Sequence, residues 1–85
     1  MSFSAYIGTL HESLEDVAWR VHHLPADISI VVWVDDRGNV YASEAHSAPP
    51  ITADQIVGSY ARGPSLEAIE EDLRAALCDR AGRQA

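Results

Sequence analysis

Ile28-Ser29-Ile30-Val31-Val32-Trp33-Val34-Asp35-Asp36-Arg37-Gly38-Asn39-Val40-Tyr41-Ala42-Ser43 is the stretch on which the fold turns. Its first seven residues are mostly β-branched or aromatic, too short a run for a typical helix, and they end in the turn-forming Asp35–Asn39. An antiparallel hairpin follows, with strands over about 28–35 and 39–45. Two registers compete. A three-residue loop Asp36-Arg37-Gly38, with Gly38 left-handed, sets Val34 opposite Val40 and Trp33 opposite Tyr41. A two-residue Arg37-Gly38 loop shifts every pair by one and asks Arg37 for a left-handed conformation that suits it poorly. The first register is preferred.

Side chains alternate along a strand, so Ile28, Ile30, Val32 and Val34 form one apolar face, while Ser29, Val31, Trp33 and Asp35 form the other. Before the hairpin, Phe3, Tyr6, Ile7, Leu10, Leu14, Val17, Val21 and Leu24 recur at helical spacing. Thr9-Leu10-His11-Glu12 reads as a capping box, which predicts an N-terminal helix over about 9–24, stopped by Pro25. After it, Ala48-Pro49-Pro50 breaks regular structure, and the segment 51–62 reads either as a short helix capped by Thr52 or as a third strand. Ser65 caps a second long helix over about 65–81, with Leu66, Ile69, Leu73, Ala76 and Leu77 inward and Gly82 as its end. The expectation is an α+β fold in one small domain, ordered α-β-β-(α or β)-α, with both long helices on one sheet face.

Composition narrows the function. Eighty-five residues allow one core, and a domain of this size buries only about 60–65% of its unfolded surface, so it gains from a partner. Thirteen acids against six bases give a charge of −7, which opposes binding to a phosphate backbone. The longest apolar run is seven residues, far below the roughly 20 that span a bilayer, and the first residues lack the pattern of a signal peptide. A single cysteine, Cys78, forms no internal disulfide, so a cytoplasmic location is expected.

No nucleophile elbow or glycine-rich phosphate loop occurs, so neither an enzyme nor a bound cofactor is expected. A metal site is not expected either, although His11 and Glu15 are four apart on the predicted helix and His46 stands near the hairpin's end. Those three residues define the rival reading, a small metal-binding protein or enzyme. Two surfaces suit a protein partner instead. Glu67, Glu70, Glu71 and Asp72 crowd the start of the second helix and can imitate a phosphate backbone before a basic nucleic-acid-binding groove. Glu12, Glu15 and Asp16 continue that strip if the helices lie side by side, while acids at helix starts also serve the helix itself. Ion pairs four apart are expected for Asp16 with Arg20 and Glu70 with Arg74.

The second surface is the sheet face of Val31, Trp33 and Tyr41, ringed by Ser29, Asp35 and Ser43, because two helices cover only the other side. It either meets a partner or lies beneath the 51–63 segment. The strand–strand–helix half resembles HicB-like antitoxin modules in the turn Asp36-Arg37-Gly38-Asn39 and the helix start Ser65-Leu66-Glu67-Ala68-Ile69. The long predicted N-terminal helix and the missing proline–glycine step after the second strand depart from that pattern. The resulting expectation is a non-enzymatic, acidic, protein-binding modulator. Phage or plasmid inhibitors such as anti-CRISPR proteins, antitoxins and immunity proteins share this size and charge. A self-associating homodimer through the Trp33–Tyr41 face is the remaining alternative.

Overall fold

Gly38 adopts φ +86°, so the chain turns through the left-handed conformation that glycine alone enters freely. That turn fixes the hairpin of β2 (Ser29–Val34) and β3 (Asn39–Glu44), with Val34 opposite Val40 and Trp33 opposite Tyr41 as expected. Gly38 N–H donates to the Asp35 carbonyl (3.2 Å) and Asp35 N–H to the Asn39 carbonyl (3.1 Å), closing the three-residue loop. The computed structural model describes residues 4–24, 29–47, 49–61 and 65–84. Phe3, Pro25 and Ile28, used in the sequence reading, lie outside them.

The remaining elements are β1 (Ser4–Thr9), α1 (Leu14–His22), β4 (Ile56–Ala61) and α2 (Leu66–Gln84), with short 3-10 turns at Ala45–Ser47 and Ala53–Gln55. The domain is thus α+β, and its described residues form two α-helices and a four-stranded antiparallel sheet ordered β1-β3-β2-β4. Of the two readings for segment 51–62 the strand holds over Ile56–Ala61, and the short helix capped by Thr52 is reduced to a three-residue 3-10 turn. Thr52 and Gln55 form a capping box over the 3-10 turn, and the chain then extends as β4 against β2.

The N-terminal residues correct the sequence reading. Helix α1 begins at Leu14, not Thr9, and Ser4–Thr9 is a strand paired with β3. Of the expected capping box one contact is made, in a turn: Thr9 N–H donates to Glu12 Oε2 (2.9 Å), while Thr9 Oγ1 accepts from His11 N–H (3.1 Å). Ser13 is the true N-cap, accepting from Asp16 N–H at 3.4 Å. Gly8 explains why a strand wins. The register slips between Tyr6 and Gly8, and a Cβ on Gly8 would stand 2.8 Å from Arg20 Nη1 and 3.1 Å from Val17 Cγ2, so α1 presses directly on bare backbone. At the other end, α2 continues through Gly82 to Gln84. One glycine costs about 1 kcal/mol of helix propensity but keeps its backbone donor and acceptor.

Both helices cover one sheet face. Ile30, Val32, Val34, Val40, Ala42 and Ile7 meet Val17, Ala18 and Val21 of α1 and Ile69 and Leu73 of α2 in one buried cluster. Complete burial of Ile69 and Leu73 stabilises by roughly 2–3 kcal/mol each in transfer free energy. The two helices run in opposite directions. Leu10, just before α1, donates its N–H to Gly38 O at the hairpin tip (2.8 Å), and α1 runs from there towards the start of β2. Helix α2 starts beyond Ala61, which pairs with Ser29 at the start of β2. It ends with Arg80 donating to the Asp35 and Asp36 carbonyls at 2.9 and 2.7 Å.

Candidate interaction surface

Among the described residues no α-helix covers the sheet's other face. Pairings across the four strands place Tyr6 beside Tyr41, Tyr41 beside Trp33, and Trp33 beside Ile56, so large side chains form a row spanning the whole sheet. The Trp33 and Tyr41 rings stack with centroids 4.6 Å apart and planes 21° from parallel, and Tyr6 meets Tyr41 edge-on at 5.9 Å. Trp33 and Tyr41 are half-buried by this stacking, while Tyr6 is 59% and Ile56 42% exposed. Beside the row runs a second one of smaller side chains: Ser4, Ser43, Val31 and Ser59. Trp33 Nε1 donates to Ser43 Oγ (3.1 Å), which also bonds Ser4 Oγ (2.8 Å). The indole is therefore held flat across two strands.

Asp35, at the hairpin tip, anchors the middle of the aromatic row through Tyr41. Its carboxylate accepts from the backbone N–H of Arg37 and of Asn39, from Asn39 Nδ2 (each 2.9 Å) and from the Tyr41 hydroxyl (3.3 Å). Partial desolvation pushes its pKa up, but these donors, Asn39 foremost, together hold it below the ordinary aspartate value. Tyr41 shifts the opposite way, raised by desolvation and then by the Asp35 charge.

Of the residues expected at this surface, Trp33 and Tyr41 stand where the register put them, but Val31 does not offer itself to a partner. It is only 4% exposed: the indole of Trp33 follows two residues along on the same face, and the Ala45–Ser47 turn packs against β2. Tyr6 and Ile56, the most exposed members of the row, were absent from the sequence expectation. Tyr6 had a signal in the alternation of Ala5 and Ile7 inward with Ser4 and Tyr6 outward, overridden by the helical spacing. Ile56 had none, because a bulge between Val32 and Trp33 aims it.

The acidic side chains are less available as a group. On α2, Glu67 and Glu71 are exposed, whereas Glu70 pairs with Arg74 at 2.7 Å, as expected, and Asp72 accepts from the Tyr60 hydroxyl at 2.6 Å. Burial first, then the Asp72 hydrogen bond and charge, hold the Tyr60 pKa well above the ordinary tyrosine value. On α1 the expected Asp16–Arg20 pair gives way to Arg20 with Glu12 (2.8 Å), because Arg20 also reaches the Ile7 carbonyl (3.0 Å) at the bulge. The Arg20–Glu12 hydrogen bond, followed by that from the Thr9 N–H, lowers the Glu12 pKa. Since the helices are antiparallel, Glu15 and Asp16 lie at the opposite end of the layer from Glu67 and Glu71. The two clusters do not join into the strip that side-by-side helices suggested.

The metal reading loses its geometry. His11 precedes α1, so the four-residue spacing to Glu15 no longer sets both on one helix face. His11 lies beside Gly38 at the hairpin tip, whereas His46 follows the far end of β3, roughly 20 Å away at ~3.4 Å per residue. Among the described residues no group of three His, Cys, Asp or Glu side chains comes together.

A cleft of about 470 Å³ opens at the hairpin tip between Val34, Asp35, Asp36, Thr52, Asp54, Gln55 and Arg80. Its Arg80 and Gln55 donors hold the backbone carbonyls of Asp35, Asp36 and Val34, so they brace the turn against α2 and the 3-10 segment. A second exposed aromatic, Trp19 (54% exposed), packs against His22 and His23 at the end of α1. Among the described residues no helix is long and apolar enough to cross a membrane. Compared with protein-family models, curated proteins and solved structures, the chain matches none of them, so the functional reading rests on its own geometry.

Proposed function

We propose that the chain is a non-enzymatic binding module that occludes a surface of another protein through its open sheet face. The observation that carries this reading is the uncovered row Tyr6–Tyr41–Trp33–Ile56. Tyrosine and tryptophan are the residues that concentrate binding energy at interfaces, and here neighbouring rings and serine hydroxyls hold them in place before any partner arrives. The exposed acids Glu67 and Glu71 lie on the helical side and contribute approach rather than contact, by drawing in a basic partner from a distance. On this reading the protein acts in the cytoplasm as an inhibitor of the anti-CRISPR, antitoxin or immunity kind.

The test is affinity capture from the native host with three immobilised forms: wild type, Tyr6→Ser/Ile56→Ser and Glu67→Gln/Glu71→Gln. A protein retained by wild type should be lost with the sheet-face variant and bind only more slowly to the acid variant. Equal retention by the sheet-face variant, with its fold shown intact by circular dichroism, refutes the reading.

A further inference from the structure

We infer that the outer edge of β4 takes up an extended segment of another protein, rich in lysine or arginine, as a fifth strand of the sheet. The site is the sheet's edge, so the inference stands apart from the reading of the open face.

A sheet ordered β1-β3-β2-β4 has two edges, and each turns backbone donors and acceptors outward along its length. This chain treats the two differently. At β1, Arg20 donates to the Ile7 carbonyl (3.0 Å) and pairs with Glu12 (2.8 Å), which in turn accepts from the Thr9 N–H (2.9 Å). Side chains thus occupy two backbone groups of β1, and a charged pair stands against it. At β4 the sequence Ile56-Val57-Gly58-Ser59-Tyr60-Ala61 holds neither a charge nor a proline, the usual guards of an edge. The Ile56 N–H is taken by the Ala53 carbonyl, but among the described residues no side chain bonds to the backbone of 57–61. A bulge at Val57 confines regular pairing to 58–61, which is room for a short added strand.

What lies beside that edge selects the occupant. Helix α2 packs against β4, and Asp72 accepts from the Tyr60 hydroxyl at 2.6 Å. With 3.6 residues per turn, Ala68, Ala75 and Asp79 share the flank of α2 that carries Asp72. The alanines form a low shoulder below the edge, and the exposed Asp79 stands ~10 Å beyond Asp72 along the helix. Because α2 runs from beyond Ala61 back to the hairpin tip, Asp79 lies towards the same end of β4 as the exposed Asp54. A strand laid along β4 projects every second side chain over this shoulder. Small alanines accommodate the aliphatic stem of a long side chain, and the carboxylates favour a cationic head. A second copy brings its own −7 and the same acids, so charge selects a basic partner instead.

The test uses the whole chain and a short blocked peptide that alternates lysine with valine, followed by hydrogen exchange at backbone amides. At peptide concentrations up to ~1 mM, amides within 57–61 should gain protection while those of β1 stay as they were. The same peptide methylated on every backbone nitrogen keeps its charge and loses its donors, and it should protect nothing. A glutamate–valine counterpart should also fail. Asp54→Asn/Asp79→Asn, at two exposed positions, should weaken binding of the lysine peptide about fivefold at low salt. Unchanged exchange within 57–61, equal protection by the methylated or the glutamate peptide, or undiminished binding by Asp54→Asn/Asp79→Asn overturns the proposal. So does protection of the same amides in the protein alone as its concentration rises, because the occupant is then a second copy.

Discussion

Val32 and Trp33 are neighbours on one strand and belong to two different kinds of surface. Val32 faces the helices and is wholly buried; Trp33 faces away, half-buried against Tyr41 and bonded to Ser43. On the helical side, apolar side chains from six elements exclude water, and the result is stability. On the other, a thin layer of stacked rings and serine hydroxyls forms a surface that, among the described residues, no α-helix covers. The lesson is that this sheet has one face that makes the fold and one that the fold presents.

Substitutions should separate the two. Ile69→Ala, in the covered layer, removes a fully buried side chain from a close-packed cluster and should cost about 3 kcal/mol or more, read as an early midpoint in urea. Tyr60→Phe comes next, at about 1–2 kcal/mol, because it removes the 2.6 Å hydrogen bond to Asp72 at the margin of that layer. Its pH dependence has a definite sign. The folded state raises the Tyr60 pKa above the ordinary 10.0, so the stability bound up with its proton is complete below pH 10 and falls as pH rises beyond it. The Phe variant should lose less stability than wild type between neutral and strongly alkaline pH, measured by thermal unfolding.

Asp35→Asn tests the anchor at the end of the open face, with a smaller effect. Asp35 has a lowered folded pKa, so its contribution is present above the ordinary value of 3.8 and disappears as pH falls through the lowered one. The difference in melting temperature between wild type and variant should therefore narrow as the solution is acidified below that value. Tyr6→Ser should change stability least, within about 0.5 kcal/mol, since the side chain is mostly in solvent and loses one edge-on ring contact. A large loss of stability for Tyr6→Ser would break the comparison, for it would make the open face part of the core.

The central hairpin of the sheet was legible in the sequence because two local constraints agreed. Gly38 had to supply a left-handed turn, and the preferred loop set Trp33 beside Tyr41, which is the pair the structure contains. Helix α2 was equally plain, since Ile69 and Leu73 recur at helical spacing behind the Ser65 cap. The N-terminal strand was not legible. Tyr6, Ile7, Leu10 and Leu14 satisfy a helical period by coincidence, and the deciding fact, that Arg20, Glu12 and Val17 press on Gly8, is a contact between elements. The candidate surface shares that history. Its centre, Trp33 and Tyr41, came from local pairing, while its exposed ends, Tyr6 and Ile56, depend on two bulges that only the assembled sheet defines.

The strand order β1-β3-β2-β4 bears on how the molecule reaches its final form. Val34 and Val40 meet across six positions of chain, but Tyr6 and Tyr41 meet across thirty-five. Closing the longer loop costs about 1.6 kcal/mol more in chain entropy, so the hairpin has the advantage in time and β1 docks on a sheet already begun. Until it does, β3 is an edge with its backbone groups unpaired, and Tyr41 lacks its outer neighbour. The full width of the aromatic row therefore exists only once β1 has docked beside β3.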